Sequence, residues 1–348
     1  MPVELHQPIV SRIKVLANLK LDETRIPQDG RFRTIVFGRD IDFRVSTFPT
    51  PAGEKAAVRV LDPTIGLKNL EDLGLTGRNA EIVKEAIEKP YGLILISGPT
   101  GSGKTTTLYA LLQILNKVES NIVSLEDPVE YYIDGTNQSQ VQPEIGYDFA
   151  SGLRQILRQD PDVIMVGEVR DTETAQLTIH AALTGHVVLS TLHTNNSVGV
   201  IPRLVDMKVD SFLLPSSLNI MMAQRLVSKL CQKCKEAQPP IGRVAELIKK
   251  ELEKMAPELR PKVKELKVYR SPGCKQCNNK GISGRIATFE TFRMTPELEN
   301  IISAGVTEGK LQEEARRQGM VTLRQDGILK ALEGLVGIEE VLRETEEI

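Results

Sequence analysis

Nine residues, Gly98-Pro-Thr-Gly-Ser-Gly-Lys-Thr-Thr106, carry the densest chemistry in the chain. From Gly98 to Thr105 they follow the order G-x-x-x-x-G-K-T of a phosphate-binding loop. Gly98, Gly101 and Gly103 let the backbone curl until its amide N–H groups face an anion, and Pro99, Thr100 and Ser102 complete the turn. Lys104 then reaches the β and γ phosphates, while the Thr105 hydroxyl stands where it can ligate Mg²⁺. Thr106 continues into a helix. The context strengthens the match, because an apolar strand (Tyr91–Ser97) precedes the loop and a helix (Thr105–Asn116) follows it. These residues predict binding of ATP or GTP.

Three further groups end apolar runs. Val163-Ile-Met-Val166 delivers Gly167-Glu168, and a carboxylate at that point can polarise the water that attacks a γ-phosphate. A glutamate at a strand end is also common on surfaces. Many phosphate-loop enzymes have an aspartate where Gly167 stands, so metal contact must rest on Thr105 and on acids acting through water. Glu126-Asp-Pro-Val-Glu130 follows another apolar strand; its acids, Glu130 among them, orient water or Mg²⁺ or form a solvated turn. His193 ends Val187–Leu192, where it senses the γ-phosphate, links neighbouring sites or only satisfies local backbone groups. His186 opens that strand, and His180 falls on the apolar face of a helix, which suggests packing.

Cys231-Gln-Lys-Cys234 and Cys274-Lys-Gln-Cys277 are two C-x₂-C knuckles. Each bends the chain so that both sulfurs can face one ion, and together they predict a closed, structural Cys₄ zinc site. Flanking lysines would favour the thiolates. Two disulfides are the competing possibility. Val244, Leu247, Ile248, Leu252 and Met255 recur at helical spacing between the knuckles, an amphipathic excursion inside the module.

The elements that must position these groups follow from pattern. From about Leu75 to Val227 short apolar strands (Ile122–Leu125, Val163–Val166, Val187–Leu192) alternate with helices at Thr105–Asn116, Phe149–Arg158 and Thr172–Leu183. That alternation predicts an α/β fold with a parallel sheet covered on both faces, and catalytic groups at the carboxyl ends of its strands. Before it, Pro8–Leu16 reads as a helix, Pro27–Gly30 as a turn, and Ile41–Ser46 as a half-buried strand in an antiparallel meander ending near Leu61. Ile41, Phe43 and Val45 would face the core, with Arg44 on the open face beside Asp42 and Ser46. The last ~60 residues read as helical, punctuated by Gly319, Gly327 and Gly337. The division is therefore 1–74, 75–227, 228–286 and 287–348.

Composition bounds the possibilities. A chain of 348 residues holds roughly two or three domains. A formal net charge of -2, 4% aromatic residues and no tryptophan disfavour bulk nucleic-acid binding or a base-stacking platform. No run of 18 apolar residues and no signal-peptide layout occur in the sequence, so a cytoplasmic location is expected.

Taken in order, these motifs resemble the hexameric motor ATPases of type II secretion and type IV pilus assembly, over nearly the whole chain. The resemblance rests on Gly98–Thr106, on the aspartate box Ser124-Leu-Glu-Asp-Pro-Val-Glu-Tyr131, and on Leu153–Asp162 running into Gly167-Glu-Val-Arg-Asp171. The histidine box Gly185–Thr194 and the four cysteines complete it. It implies a RecA-like phosphate-loop NTPase core, a small PAS-like α+β N-terminal domain, and ATP held between the two with Mg²⁺ and Zn²⁺ as metals. The smaller domain would supply phosphate-binding arginines, Arg12, Arg31 and Arg44, with Arg154 and Arg158 as candidates from the core. It further implies a homohexamer at the inner face of the cytoplasmic membrane, pushing on a platform protein, with the cysteine module favouring extension or secretion. The family carries more chain upstream, so the N-terminal domain is expected to be partial. A nucleic-acid motor and a non-hydrolysing scaffold are the alternatives, separated by DNA-stimulated hydrolysis and by phosphate release.

Overall fold

The computed structural model describes residues 2–62, 67–261 and 265–346. The chain forms two compact units, Met1–Lys68 with Val129–Asp134, and Asn69–Pro128 with Gly135–Ile348. The sequence division sets its first boundary a few residues later and subdivides the second unit; it did not separate Val129–Asp134.

The first unit holds the helix His6–Leu16 and an antiparallel sheet of β1 (Gln28–Val36), β2 (Arg39–Thr50) and β3 (Gly53–Leu61), in that order. Ile41 and Val45 are buried as the alternation requires, and half-buried Phe43 stacks on Phe32 with centroids 4.9 Å apart. Two expectations are corrected. Pro27–Gly30 is not a turn, because β1 starts at Gln28. Gly30 instead permits close approach: a Cβ there would lie 2.5 Å from the Ala17 carbonyl oxygen. Nor is Asp42 on an open face. It is 1% exposed and paired with Arg33 at 2.8 Å, which offsets the cost of burying its charge. Buried Lys14 likewise donates to both carboxylate oxygens of Glu54 at 2.9 Å.

The second unit is built on a seven-stranded sheet, order β12-β9-β4-β8-β7-β5-β6. Its strands are β4 (Gly92–Ser97), β5 (Ile122–Glu126), β6 (Thr136–Gln140), β7 (Val163–Val166), β8 (Val187–Leu192), β9 (Leu218–Leu230) and β12 (Ile282–Arg293). A separate antiparallel pair joins β10 (Glu236–Gln238) to β11 (Val268–Arg270). All pairings from β9 to β6 are parallel, and only β12 runs antiparallel, against β9. Every residue of β4, β5, β7 and β8 is buried, the state expected of apolar parallel strands covered on both faces. The three expected helices are present as Lys104–Leu115, Phe149–Ile156 and Thr172–Leu183. His180 on the last of these is exposed and does not pack. β6 escaped the apolar pattern because TNQSQ is polar, which an edge strand tolerates.

The β9/β12 ribbon explains how the distant knuckles meet. Its register pairs Arg293 with Ile220 at one end and Ile282 with Leu230 at the other, so residues 231–281 are an insertion at its tip. Within that insertion the expected amphipathic helix is Gly242–Lys254. Its Ile248 is buried in a cluster with Val227, Ile286, Ile328 and Val341. Four more helices follow: Pro296–Ser303, Glu308–Arg317, Leu323–Leu332 and Ile338–Glu344. Among the described residues, no helix is long and apolar enough to cross a membrane.

Gly327 corrects one further expectation, since it lies inside Leu323–Leu332 and does not punctuate it. A Cβ there would overlap the branched side chain of Val341 and press on Thr288 at 3.3 Å. The glycine is a packing notch. Gly327→Ala should therefore destabilise the chain by about 1–2 kcal/mol despite alanine's better helix propensity, because overpacking outweighs it. Urea unfolding checks this; an unchanged or raised midpoint would show that the contact with Val341 relaxes freely.

Candidate functional site

Parallel pairing gathers the motif residues at one edge. Ser97 of β4 pairs with Leu192 of β8, and Val166 of β7 lies level with Leu125 of β5 and Ser190 of β8. The residues after those strands (Gly98, Gly167-Glu168, His193) therefore emerge together at the carboxyl edge, where α/β sheets bind ligands.

The phosphate loop has the shape its composition predicts. Gly101 and Gly103 have φ of 81° and 87°, the left-handed region that favours glycine. Gly98 and Gly103 are also steric requirements. A Cβ at Gly98 would lie 2.6 Å from the Gln224 carbonyl oxygen, and one at Gly103 would lie 2.9 Å from Gln224 Nε2. Helix Lys104–Leu115 begins at the loop and points its unpaired N-terminal amides into it. Lys104 Nζ donates to the carbonyls of Gly98 (2.8 Å) and Pro99 (3.1 Å). Burial holds its pKa below the usual lysine value; the Glu168 charge opposes that shift and Arg225 adds to it. Ser102 Oγ is buried with no hydrogen-bond partner among the described residues. An ammonium bound to neutral carbonyls and an unused hydroxyl beside free amides are donors that fit a polyphosphate.

Glu168 faces this loop. Its side chain is 14% exposed and pairs with Arg170, and its Oε2 lies 3.4 Å from His193 Nε2. Arg170 also approaches Asp127 at 3.8 Å. Gly167 is held between neighbouring strands, donating to Leu125 O (2.8 Å) and accepting from Thr191 Oγ1 (2.8 Å), which fixes where Glu168 leaves the sheet. Glu126 of the aspartate box is buried and bonded to Tyr109, Ser124 and Gln138. His186 Nδ1 lies 2.8 Å from the Ala181 carbonyl, a local backbone contact. Arg154 pairs with Glu173, and Arg158 is exposed.

Glu130, Arg12 and Arg31 belong to the first unit. Arg12 is exposed on its helix. Arg31 and Arg33 lie over the Tyr132 ring, 4.2 Å and 4.7 Å from its centroid, and Arg31 donates to Val129 O at 3.0 Å. These contacts tie Val129–Asp134 into that unit. The register also sets Arg31, Arg44 and Arg59 in one row across three strands. Like charges directly opposite destabilise a sheet, so the row is suited to an anion. The Nη2 of Arg31 is buried without a partner among the described residues. Arg59 was not singled out from sequence, although the strand pattern that placed Arg44 would have found it. Gln224 and Arg225 were missed because nothing local marks them, and Arg170, although inside Gly167–Asp171, was given no role of its own.

All four cysteines are free thiols, and their Sγ atoms lie within 4.8 Å of one another. Cys231 and Cys274 are 3.9 Å apart and Cys274 and Cys277 3.8 Å. A disulfide needs about 2.05 Å, whereas two sulfurs on a tetrahedral zinc at about 2.3 Å stand about 3.8 Å apart. The cluster can hold a metal. Amide N–H groups of Cys274 (3.1 Å) and Gly281 (3.3 Å) point at Cys277 Sγ. They bring its pKa down to about 6 and so favour that thiolate.

The profile of the type II/IV secretion system protein family matches residues 1–343. The chain is 46% identical over 344 residues to type II secretion system protein E of Pseudomonas aeruginosa, covering 99% of this chain and 66% of that one. It is 43% identical over 345 residues to the type IV pilus assembly ATPase PilB of Myxococcus xanthus, covering 99% and 60% respectively. It thus spans just under two thirds of these relatives' length. Among solved structures, the pilus retraction motor PilT with bound ADP superposes with a TM-score of 0.66 at 28% identity, over 93% of this chain and 78% of that one. Sequence motifs, fold and relatives agree: the chain belongs to the type II/IV secretion system protein family.

Proposed function

We propose that this chain is the ATP-hydrolysing subunit of a homohexameric motor that drives pilus assembly or type II secretion. The observation that carries the reading is Lys104, an ammonium bonded to two main-chain carbonyls beside free loop amides, with Glu168 as its charged neighbour. The relatives' names and the ADP bound by PilT support the same assignment.

In this reading Gly98–Thr106 hold the triphosphate through main-chain amides, and Lys104 swings from its two carbonyls to the β and γ oxygens. Thr105 would be the protein ligand of Mg²⁺, which when bound neutralises charge on those oxygens. Glu168 leaves Arg170, orients the attacking water and takes its proton. His193 stays beside Glu168 and holds its orientation. Arg12 and Arg31 are assigned to phosphate charge in the assembled ring, where such arginines change rates by ~10³–10⁵. Glu130 is assigned to water or metal orientation. The ring is placed peripherally at the cytoplasmic face of the inner membrane, acting on a platform protein. We assign zinc to the four cysteines.

Glu168→Gln should lower turnover at least about 100-fold while leaving Mg-ATP affinity unchanged. Full phosphate release by that variant would remove the mechanism. Elemental analysis should find one zinc per chain, and a chelator should lower the melting temperature. Metal-free protein with four titratable thiols and the same melting temperature would refute the zinc assignment.

A further inference from the structure

We propose that Gln224 and Arg225, neighbours on β9, are a two-sided positioning pair: Gln224 aims the phosphate loop, and Arg225 sets the loop that carries His193. The proposal rests on the ATPase reading and adds residues that none of the motifs contains. Successive side chains of a strand leave it on opposite faces, so two adjacent residues can serve two different loops.

On one face, Gln224 is 1% exposed. Its Nε2 donates to the Ser102 carbonyl at 2.8 Å, and its Oε1 accepts from Thr107 Oγ1 at 2.8 Å. That carbonyl shares a peptide plane with the Gly103 N–H. In a trans peptide the two point in opposite directions, so holding the oxygen toward β9 turns the Gly103 N–H into the anion cradle. Gln224 thereby fixes a phosphate donor without touching phosphate. The steric demands at Gly98 and Gly103 come from the same residue, so loop and strand are in direct contact.

On the other face, Arg225 donates from Nη2 to the Asn195 carbonyl (2.8 Å) and from Nη1 to the Gln224 carbonyl (3.1 Å). Asn195 is two residues beyond His193. Glu290 of β12 faces the same side, since it pairs with Ala223 in the ribbon register. It accepts from Ser197 N (2.8 Å) and Ser197 Oγ (2.6 Å), pinning the far end of the same loop. Binding loop and histidine loop are thus referenced to one strand, one residue apart.

The two faces predict different kinetic losses. Gln224→Glu keeps the shape but cannot donate to Ser102, and Gln224→Met tests the same loss without a charge. Either should raise the Mg-ATP Kd and KM about tenfold and leave kcat within about twofold, because a cradle donor binds ground and transition states alike. Arg225→Lys, which keeps the charge but loses the planar fork that spans the Asn195 and Gln224 carbonyls, should lower kcat about tenfold and leave Kd within about twofold. Melting temperature and zinc content are measured on the same full-length samples, and the kinetics are read at a temperature where every variant is folded and zinc-loaded like the parent. Equal losses in both parameters, or losses that track the melting temperature, would reduce the pair to scaffold and overturn the proposal. Parent and Lys104→Ala proteins separate the two levels. A parent that binds no Mg-ATP sinks the ATPase reading. A parent that binds, a Lys104→Ala protein that does not, and Gln224 and Arg225 variants equal to the parent sink only the positioning pair.

Discussion

Parallel pairing gives a sheet a polarity, and the gathering of this chain's motif residues depends on it. Because β4, β5, β7 and β8 run the same way in register, whatever follows each strand emerges on one edge. The phosphate loop, Glu168 and His193 lie far apart in sequence, yet they share that edge without any device specific to them. The helices that return the chain between strands fill both faces, so the strands can be apolar throughout. A sheet that slipped by one residue would turn each strand end to the other face and disperse the site.

The β9/β12 ribbon adds what parallel strands alone cannot. It runs along β4, so its side chains reach the loop at the end of that strand, and it extends past the sheet to a tip where the cysteines sit. One ladder, with a register shift between Ile282 and Arg285, therefore links the phosphate loop to the cysteine cluster. At the tip, amides from Cys274 and Gly281 point at Cys277, and Ile248 buries the intervening helix against Val227 and Ile286. The module is anchored by the same ribbon that braces the loop.

The first unit follows a different logic. Its meander buries Ile41 and Val45 on one side of β2 and sets arginines in a row on the other. Val129–Asp134 packs beneath Arg31 of that row, and beneath Arg33, through the Tyr132 ring. A segment that reads in sequence as the tail of the aspartate box is, in three dimensions, part of this unit.

The sequence by itself determined the elements whose signal is local. Apolar runs marked β4, β5, β7 and β8 to within a residue but not β9 or β12, the glycine spacing marked the phosphate loop, and the C-x₂-C pairs marked the four-cysteine cluster. Strict alternation placed Ile41, Val45 and Arg44. Local signals failed where a residue's job is set by a distant neighbour. Polar β6 needs only the edge of β5, Gly30 and Gly327 answer to Ala17 and Val341, and Asp42 is buried because Arg33 reaches it. Gln224 and Arg225 sit in an unremarkable strand, and only the packing of β9 against two loops gives them a role. Periodicity reports which face a side chain takes; tertiary structure alone decides what waits there, because that depends on residues brought in from elsewhere in the chain, 9 positions away for Asp42 and Arg33 and 122 for Gln224 and Ser102.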